Sequence, residues 1–229
     1  MKASAIIVAA GSGVRLGSSV PKAFVVLGRY PLLYYSLRTI ASVPDIDEVV
    51  VAAPSGMESR VHSIAAEADL PVPLKVAPGG IERQDSVRIA LALTGAETEC
   101  VIVHDAARPF APAALFLECL NAAAQYGGAV AAIPVSDTLK RGLNSTISAT
   151  LPRIDLYQAQ TPQAFRRPLL IKAHERAAGE EIAATDDAEL VERIGGELKI
   201  VGGSAINLKI TTPADLEIAR AIAIARESR

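Results

Sequence analysis

Residues 9–22, AAGSGVRLGSSVPK, place Gly11, Gly13 and Gly17 just after the apolar run AIIV and set two cations, Arg15 and Lys22, among and beyond them. Glycines that follow a strand free backbone N–H groups to meet a phosphate. The spacing fits neither standard phosphate loop. A dinucleotide fingerprint needs its third glycine at position 16, where the chain has Leu16, and a P-loop needs Gly-Lys, whereas Lys22 follows Pro21. The stretch reads instead as a cationic cradle for a polyanion. Asp105 and Arg108 stand just beyond the run CVIV, at the carboxyl end of a strand, where open α/β sheets bind ligands. Covalent and acid–base machinery is missing. The three histidines form no His-Glu-x-x-His, and neither a Gly-x-Ser-x-Gly nor a cysteine dyad occurs. His104 reads as support for the strand end rather than as a catalyst.

Such a loop needs a rigid scaffold. Val/Ile/Ala-rich runs at Ala5–Ala10, Glu48–Ala53, Cys100–Val103 and Ala129–Ile133, separated by helix-like segments, predict crossover units on a sheet covered on both faces. The expected class is α/β and Rossmann-like, a mostly parallel sheet flanked by helices. Helices are predicted through LLYYSLRTI after Pro31 and through DSVRIALAL, where Val87, Ala90 and Leu91 fall at helical spacing. Thr212, Pro213 and Asp215 predict an N-cap opening a last helix through ADLEIARAIAIAR. Residues 136–160 break the alternation, with a Gly-Leu-Asn-Ser turn signal between two Thr/Leu/Ile-bearing flanks that pair as a hairpin. This segment is expected to leave the core as a protruding β-hairpin arm. A lone hairpin is marginal in water, so the arm is expected to pack on something, with a second copy of the chain as one candidate.

At 229 residues, half of them hydrophobic, the chain is long enough for one domain spanning 1–229 with the arm as its appendage. The 23 Lys and Arg against 25 Asp and Glu offer nucleic acid no global attraction, so an anion site must be local. Cys100 and Cys119 lack metal-ligand or redox spacing and read as buried thiols. No signal-peptide pattern precedes the first glycine loop, and no apolar stretch approaches the ~20 residues a membrane span needs. A soluble, cytoplasmic protein without membrane partners is expected.

The segment AAGSGVRLG with the later PKAF resembles the N-terminal signature of sugar-phosphate nucleotidyltransferases, whose loop wraps the triphosphate of a nucleotide. GGIERQDSV (79–87), VHDAARPF (103–110), DTLKR (137–141), QTPQAF (160–165), TDDAELVE (185–192) and INLKITTPADL (206–216) carry the likeness to the last helix. Taken together, the chain resembles the 2-C-methyl-D-erythritol 4-phosphate cytidylyltransferase family. That resemblance implies attack of the phosphate of methylerythritol phosphate on the α-phosphorus of CTP, in non-mevalonate isoprenoid precursor biosynthesis. The products would be 4-diphosphocytidyl-2-C-methyl-D-erythritol and pyrophosphate. A phosphate monoester has its second pKa near ~6, so the nucleophile is largely a dianion and needs no side chain to deprotonate it.

The resemblance also implies roles. Arg15 and Lys22 would meet the triphosphate and stabilise the pentacovalent α-phosphorus, while Lys209 and Arg153 would position the sugar phosphate. Lys209 reads as following a strand, and Arg153, in the arm, would reach into a neighbouring subunit's site. Asp105 and Arg108, with Thr138, Thr161 and Thr185, would contact the erythritol hydroxyls and phosphate. The pyrimidine is expected against the backbone of Gly80 and the hydroxyl of Ser86, with Ala9, Ala10, Gly11 and Gly13 approaching the nucleotide through main-chain atoms. Arg83 either anchors that turn or reaches phosphate. Mg²⁺ is implied by the chemistry, held largely by CTP phosphates; no carboxylate cage is visible, and whether Asp105 touches the metal stays open. The implied partners are CTP, a polyol phosphate and a second copy of the chain. A ribitol-5-phosphate cytidylyltransferase would share the loop, the arm, TPQ and KITTP, although RQDSV and HDAARP lean toward the methylerythritol family. An NAD-dependent oxidoreductase would need the displaced glycine and an acidic residue closing VVVAAPSG. A non-catalytic CTP-binding module would not need Arg15, Lys22, Arg153 and Lys209, all of which are present.

Overall fold

The computed structural model describes residues 1–18 and 20–227. From β1 (Ala3–Val8) the glycine loop leads to a small antiparallel pair, β2 (Val26–Leu27) and β3 (Tyr30–Pro31), and then to α1 (Leu32–Ile40). Next in the chain come β4 (Ile46–Ala53), α2 (Glu58–Glu67), β5 (Leu74–Pro78), α3 (Arg83–Ala92), β6 (Cys100–Asp105), α4 (Ala113–Tyr126) and β7 (Gly128–Pro134). A hairpin, β8 (Leu139–Leu143) and β9 (Thr146–Leu151), precedes β10 (Tyr157–Arg166), α5 (Arg167–Gly179), α6 (Asp187–Arg193), β11 (Leu198–Gly202) and α7 (Pro213–Glu227). Seven strands form one sheet in the order β11-β7-β10-β6-β1-β4-β5. Neighbours run parallel except at β10, which is antiparallel to both β6 and β7. This is the Rossmann-like α/β architecture expected.

Alternation along each strand divides its side chains between two apolar layers. Ile7, Val49, Val51 and Ile102 pack with Leu37, Ile64 and Phe116 of α1, α2 and α4 on one face. Ile6, Val50, Val101 and Val103 pack with Val87, Leu170 and Val191 of α3, α5 and α6 on the other. All of these side chains are fully buried, which is why the runs are apolar at every position rather than at alternate ones. A third, smaller cluster joins Leu16, Val25, Leu27, Leu32, Phe110 and Ile210 to Ala219 and Ala223 of α7. Leu16, which stands where a dinucleotide loop has glycine, is thus the apolar anchor of this loop.

The arm is shorter than 136–160. Its hairpin is Leu139–Leu151, turning at Asn144 and Ser145, both at positive φ. Residues Tyr157 to Ala159 instead pair with β7, Tyr157 against Pro134 and Ala159 against Ala132, so this stretch belongs to the central sheet. Lys209 follows a strand as expected, though at a distance: β11 ends at Gly202 and Lys209 lies in irregular chain beyond it. Leu208 and Ile210 alternate like a strand, but they dock into the third cluster, and the Ile210 N–H donates to the Ala107 carbonyl at 2.9 Å. The last helix opens as expected: the Thr212 N–H donates to Asp215 Oδ2 at 2.7 Å and the Asp215 N–H to Thr212 Oγ1 at 3.3 Å. Cys100 and Cys119 are buried free thiols. Among the described residues no helix is long and apolar enough to cross a membrane.

Candidate active site

Beyond the carboxyl ends of β1 and β6 a cleft opens. Ala9, Ala10, Gly11, Arg15 and Lys22 line it from the first loop, Gly80, Arg83 and Ser86 from the start of α3, Asp105 from the end of β6 and Lys209 from the irregular chain between β11 and α7. The loop is closed by the Lys22 N–H donating to the Gly11 carbonyl at 3.0 Å. Gly13 sits behind that contact at φ 76, and a Cβ there would stand 3.1 Å from the Lys22 nitrogen, so only glycine fits without strain. Gly11 differs, since a Cβ added to it would meet nothing within 4 Å. The fold tolerates a side chain at Gly11; what its absence provides is open space at the cleft.

The start of α3 is equally constrained. A Cβ at Gly80 would fall 2.2 Å from Asp85 Cβ, inside van der Waals contact. The close approach lets the Gly80 N–H donate to Ser86 Oγ at 3.0 Å, while the Ser86 hydroxyl donates to the Glu82 carbonyl at 3.2 Å. A reciprocal capping box between Glu82 and Asp85 completes the turn. Ser86, expected to meet the base, is therefore also a structural member of the turn.

Electrostatics concentrates on Asp105. Its Oδ1 accepts from Arg83 Nε at 3.0 Å and its Oδ2 from Lys209 Nζ at 2.7 Å. Burial alone would raise this carboxyl, but the two cations outweigh it and hold it well below the usual carboxylate range. Arg83 pairs with neither Asp85 nor Glu82; its other bond runs from Nη1 to Asp187 Oδ2 at 2.7 Å. Behind the strand end, Thr161 Oγ1 accepts from the Asp105 N–H and meets His104 Nδ1, each at 3.0 Å, while His104 Nε2 meets the Arg108 carbonyl at 3.1 Å. Burial pushes the His104 imidazole down to about 4, so the ring is neutral support, as its sequence position suggests. Lys22 is lowered to about 8, first by burial and next by the charge of Lys209.

The remaining sequence-predicted residues lie outside the cleft lining. Arg108 donates to the Asn207 carbonyl at 2.7 Å and more weakly to that of Ala159 at 3.4 Å, clamping the loop before Lys209 onto β10. The Thr161 hydroxyl is buried and spent on Asp105 and His104. The exposed Thr185 donates from its hydroxyl to Glu189 Oε2 at 3.1 Å. Thr138 and Arg153 flank the exposed arm, Arg153 donating to the Ser136 carbonyl. Asn207, Gln160, Asp187 and His174 receive no role from the sequence. Asn207 Nδ2 donates to Gln160 Oε1 at 3.1 Å and to the Thr161 carbonyl at 2.8 Å, which fixes the chain entering Lys209. Asn207 and Asp187 stand inside the segments INLKITTPADL and TDDAELVE; Asn207, a polar residue between Ile206 and Leu208, carries a signal, whereas Asp187 follows Thr185 and Asp186 and does not stand out.

Known proteins match the chain over nearly its whole length. The family model for 2-C-methyl-D-erythritol 4-phosphate cytidylyltransferase (IspD) matches residues 3–225. A 2-C-methyl-D-erythritol 4-phosphate cytidylyltransferase of Deinococcus radiodurans is 47% identical over 223 residues, covering 96% of this chain and 89% of that one. The crystal structure of 4-diphosphocytidyl-2C-methyl-D-erythritol synthase from Anaerococcus prevotii superposes with a TM-score of 0.86 at 30% identity, over 97% of this chain and 96% of that one. That of 2-C-methyl-D-erythritol 4-phosphate cytidylyltransferase from Thermus thermophilus gives a TM-score of 0.82 at 36% identity, over 98% of this chain and all of the other. A cationic cleft at the first βα turn, on a scaffold shared from end to end with these enzymes, leads to one assignment: the chain belongs to the 2-C-methyl-D-erythritol 4-phosphate cytidylyltransferase family.

Proposed function

We infer that this protein transfers the cytidylyl group of CTP to 2-C-methyl-D-erythritol 4-phosphate, giving 4-diphosphocytidyl-2-C-methyl-D-erythritol and pyrophosphate. Besides family membership, the observation that carries this reading is the placement of Lys22 and Lys209 in one cleft. They come from separate loops yet lie close enough that Lys209 disfavours the charge on Lys22. Two cations held against their own repulsion suit a reaction between two anions. In this reading Arg15 and Lys22 take the triphosphate, main-chain groups from Ala9 to Gly13 approach it, and Gly80 and Ser86 bound the base. Lys209 holds the attacking phosphate. Asp105, Arg108, Thr138 and Thr185 serve the polyol phosphate, with Thr161 acting from behind through the Asp105 backbone, and Arg153 arrives from a second copy. An oxygen of the phosphate dianion forms the new bond to the α-phosphorus while the bond to the β-phosphate oxygen breaks, and pyrophosphate leaves with that electron pair. No proton has to move, which agrees with a neutral, buried His104.

Mg²⁺ completes the reading by neutralising phosphate charge when it is bound. Among the described residues no three His, Cys, Asp or Glu side chains are grouped to hold a metal, and both Asp105 oxygens already meet cations. These residues fit a metal that arrives on the nucleotide with phosphate and water ligands, rather than one caged by the protein. The working unit is a homodimer built through the arm, one nucleotidyltransferase domain per chain, acting in the cytoplasm. Pyrophosphate release from CTP and Mg²⁺ tests the whole reading against methylerythritol, ribitol and erythritol phosphates. Release with methylerythritol phosphate is the expected outcome. A response to ribitol phosphate alone would reverse the substrate, and CTP binding with no release would reduce the protein to a nucleotide-binding module.

A further inference from the structure

Behind the cleft a line of charged and polar side chains runs inward from Lys209. Lys209 Nζ meets Asp105 Oδ2 at 2.7 Å, Asp105 Oδ1 meets Arg83 Nε at 3.0 Å, Arg83 Nη1 meets Asp187 Oδ2 at 2.7 Å, and Asp187 Oδ1 meets His174 Nε2 at 3.1 Å. The side chains of Asp187 and His174 are 1% and 2% exposed, so neither can touch substrate. We propose that Asp187 and His174 are positioning residues for the attacking phosphate: they orient Arg83 so that Asp105 keeps one oxygen for Lys209. This relay rests on Lys209 holding the attacking phosphate, the role assigned to it under the proposed function.

Valence and charge dictate the arrangement. Each aspartate has two oxygens, and each oxygen has one partner in the line. The Arg83 guanidinium is a rigid fork, so anchoring Nη1 on Asp187 fixes the direction in which Nε points. It therefore reaches one oxygen of Asp105 rather than both. Remove the charge of Asp187 and the guanidinium is drawn fully onto Asp105, the nearest remaining anion in the line, in competition with Lys209 for its oxygens. His174, donating from Nε2 to the ionised Asp187, holds the second oxygen of that carboxylate and so its plane. Asp187 sits at the first residue of α6 and His174 within α5, so two packed helices set the direction of a side chain that ends at the cleft. A buried ion-pair line can also be purely structural, and the two possibilities differ in whether their effects pass through Lys209.

A double-mutant cycle separates them. Asp187→Asn is expected to lower kcat/KM for methylerythritol phosphate by about tenfold or more in the native background, and by less than about twofold in a Lys209→Ala background. His174→Leu should show the same pattern to a smaller extent, and His174→Gln, which restores an N–H donor, should recover most of the loss. Where Asp187→Asn does not fold, the His174→Leu cycle carries the decision. Equal losses in both backgrounds, or no loss in a folded Asp187→Asn or His174→Leu variant, would overturn the relay while leaving Lys209 in its role. A Lys209→Ala variant with unchanged kcat/KM for methylerythritol phosphate would instead remove the reading on which the relay depends.

Discussion

Lys22 shows how a single residue ties the physics of the cleft to its chemistry. Burial and the neighbouring Lys209 bring its ammonium down to about 8, so the charge that should meet the triphosphate begins to disappear in mildly alkaline solution. Because kcat/KM reports the free enzyme, kcat/KM for CTP is expected to fall as pH rises through about 8. Lys22→Arg keeps its charge beyond about pH 12, so its profile should be flat across that range even if its level is lower. An unchanged alkaline limb in the variant would assign the titration to another group. For stability the sign is reversed. The unfolded chain binds the Lys22 proton up to the ordinary 10.5, the ligand-free fold only up to about 8, so this group's contribution rises with pH between those values. Other residues, too, do more than one job: Ser86 shapes the turn it is expected to offer to the base, and Arg108, expected to serve the polyol phosphate, also holds a loop through the Asn207 carbonyl.

Elements are legible in the sequence where burial leaves a periodic trace. Strands β1, β4, β6 and β7 are apolar at nearly every position because helices cover both faces, and the apolar runs mark their ends to within a few residues. β5, β10 and β11 carry weaker traces. LKVAP and LKIVG lie at the two sheet edges and are partly exposed, while β10 begins exposed at Tyr157 and takes Pro162 into an irregular register against β7. The loop holding Lys209 alternates apolar residues without being a strand, because Leu208 and Ile210 are satisfied by a side cluster rather than by strand partners. The junction between that loop and α7 is one of the better-marked boundaries in the chain. Asp215 Oδ2 accepts from the N–H groups of both Thr211 (2.9 Å) and Thr212 (2.7 Å), joining the cap of α7 to the segment that delivers Lys209. Asp215→Ala should cost about 1 kcal/mol, as cap losses do, and lower Tm by roughly 2–4 °C in a chain of this size. It should also raise KM for the polyol phosphate as the loop loosens. Calorimetry with steady-state kinetics checks both, and an unchanged Tm would show that the third cluster alone secures the loop.

At the scale of the whole molecule, the cleft of one chain is incomplete if Arg153 belongs to the reaction, because that residue flanks the hairpin and does not line the cleft. The hairpin forms a separate two-stranded sheet with Leu143 69% and Ile147 66% exposed, and Ile154 beyond it is 81% exposed. Two isolated strands with apolar side chains in water are marginal, so a second copy packed on the arm would both stabilise it and bring Arg153 to a neighbouring site. Complementation tests this directly. Lys22→Ala and Arg153→Ala chains, each nearly inactive alone, are mixed, dissociated and allowed to reassociate. If Arg153 acts across the interface, a mixed dimer has one site built from the native Lys22 of one chain and the native Arg153 of the other. Random pairing makes half the dimers mixed, so about a quarter of native pyrophosphate release should return. If Arg153 serves its own chain's cleft, each site of a mixed dimer keeps one defect and activity does not return. Sedimentation of the reassociated mixture separates that outcome from a failure to pair, since a protein that remains monomeric throughout would contradict the arm's role as the interface.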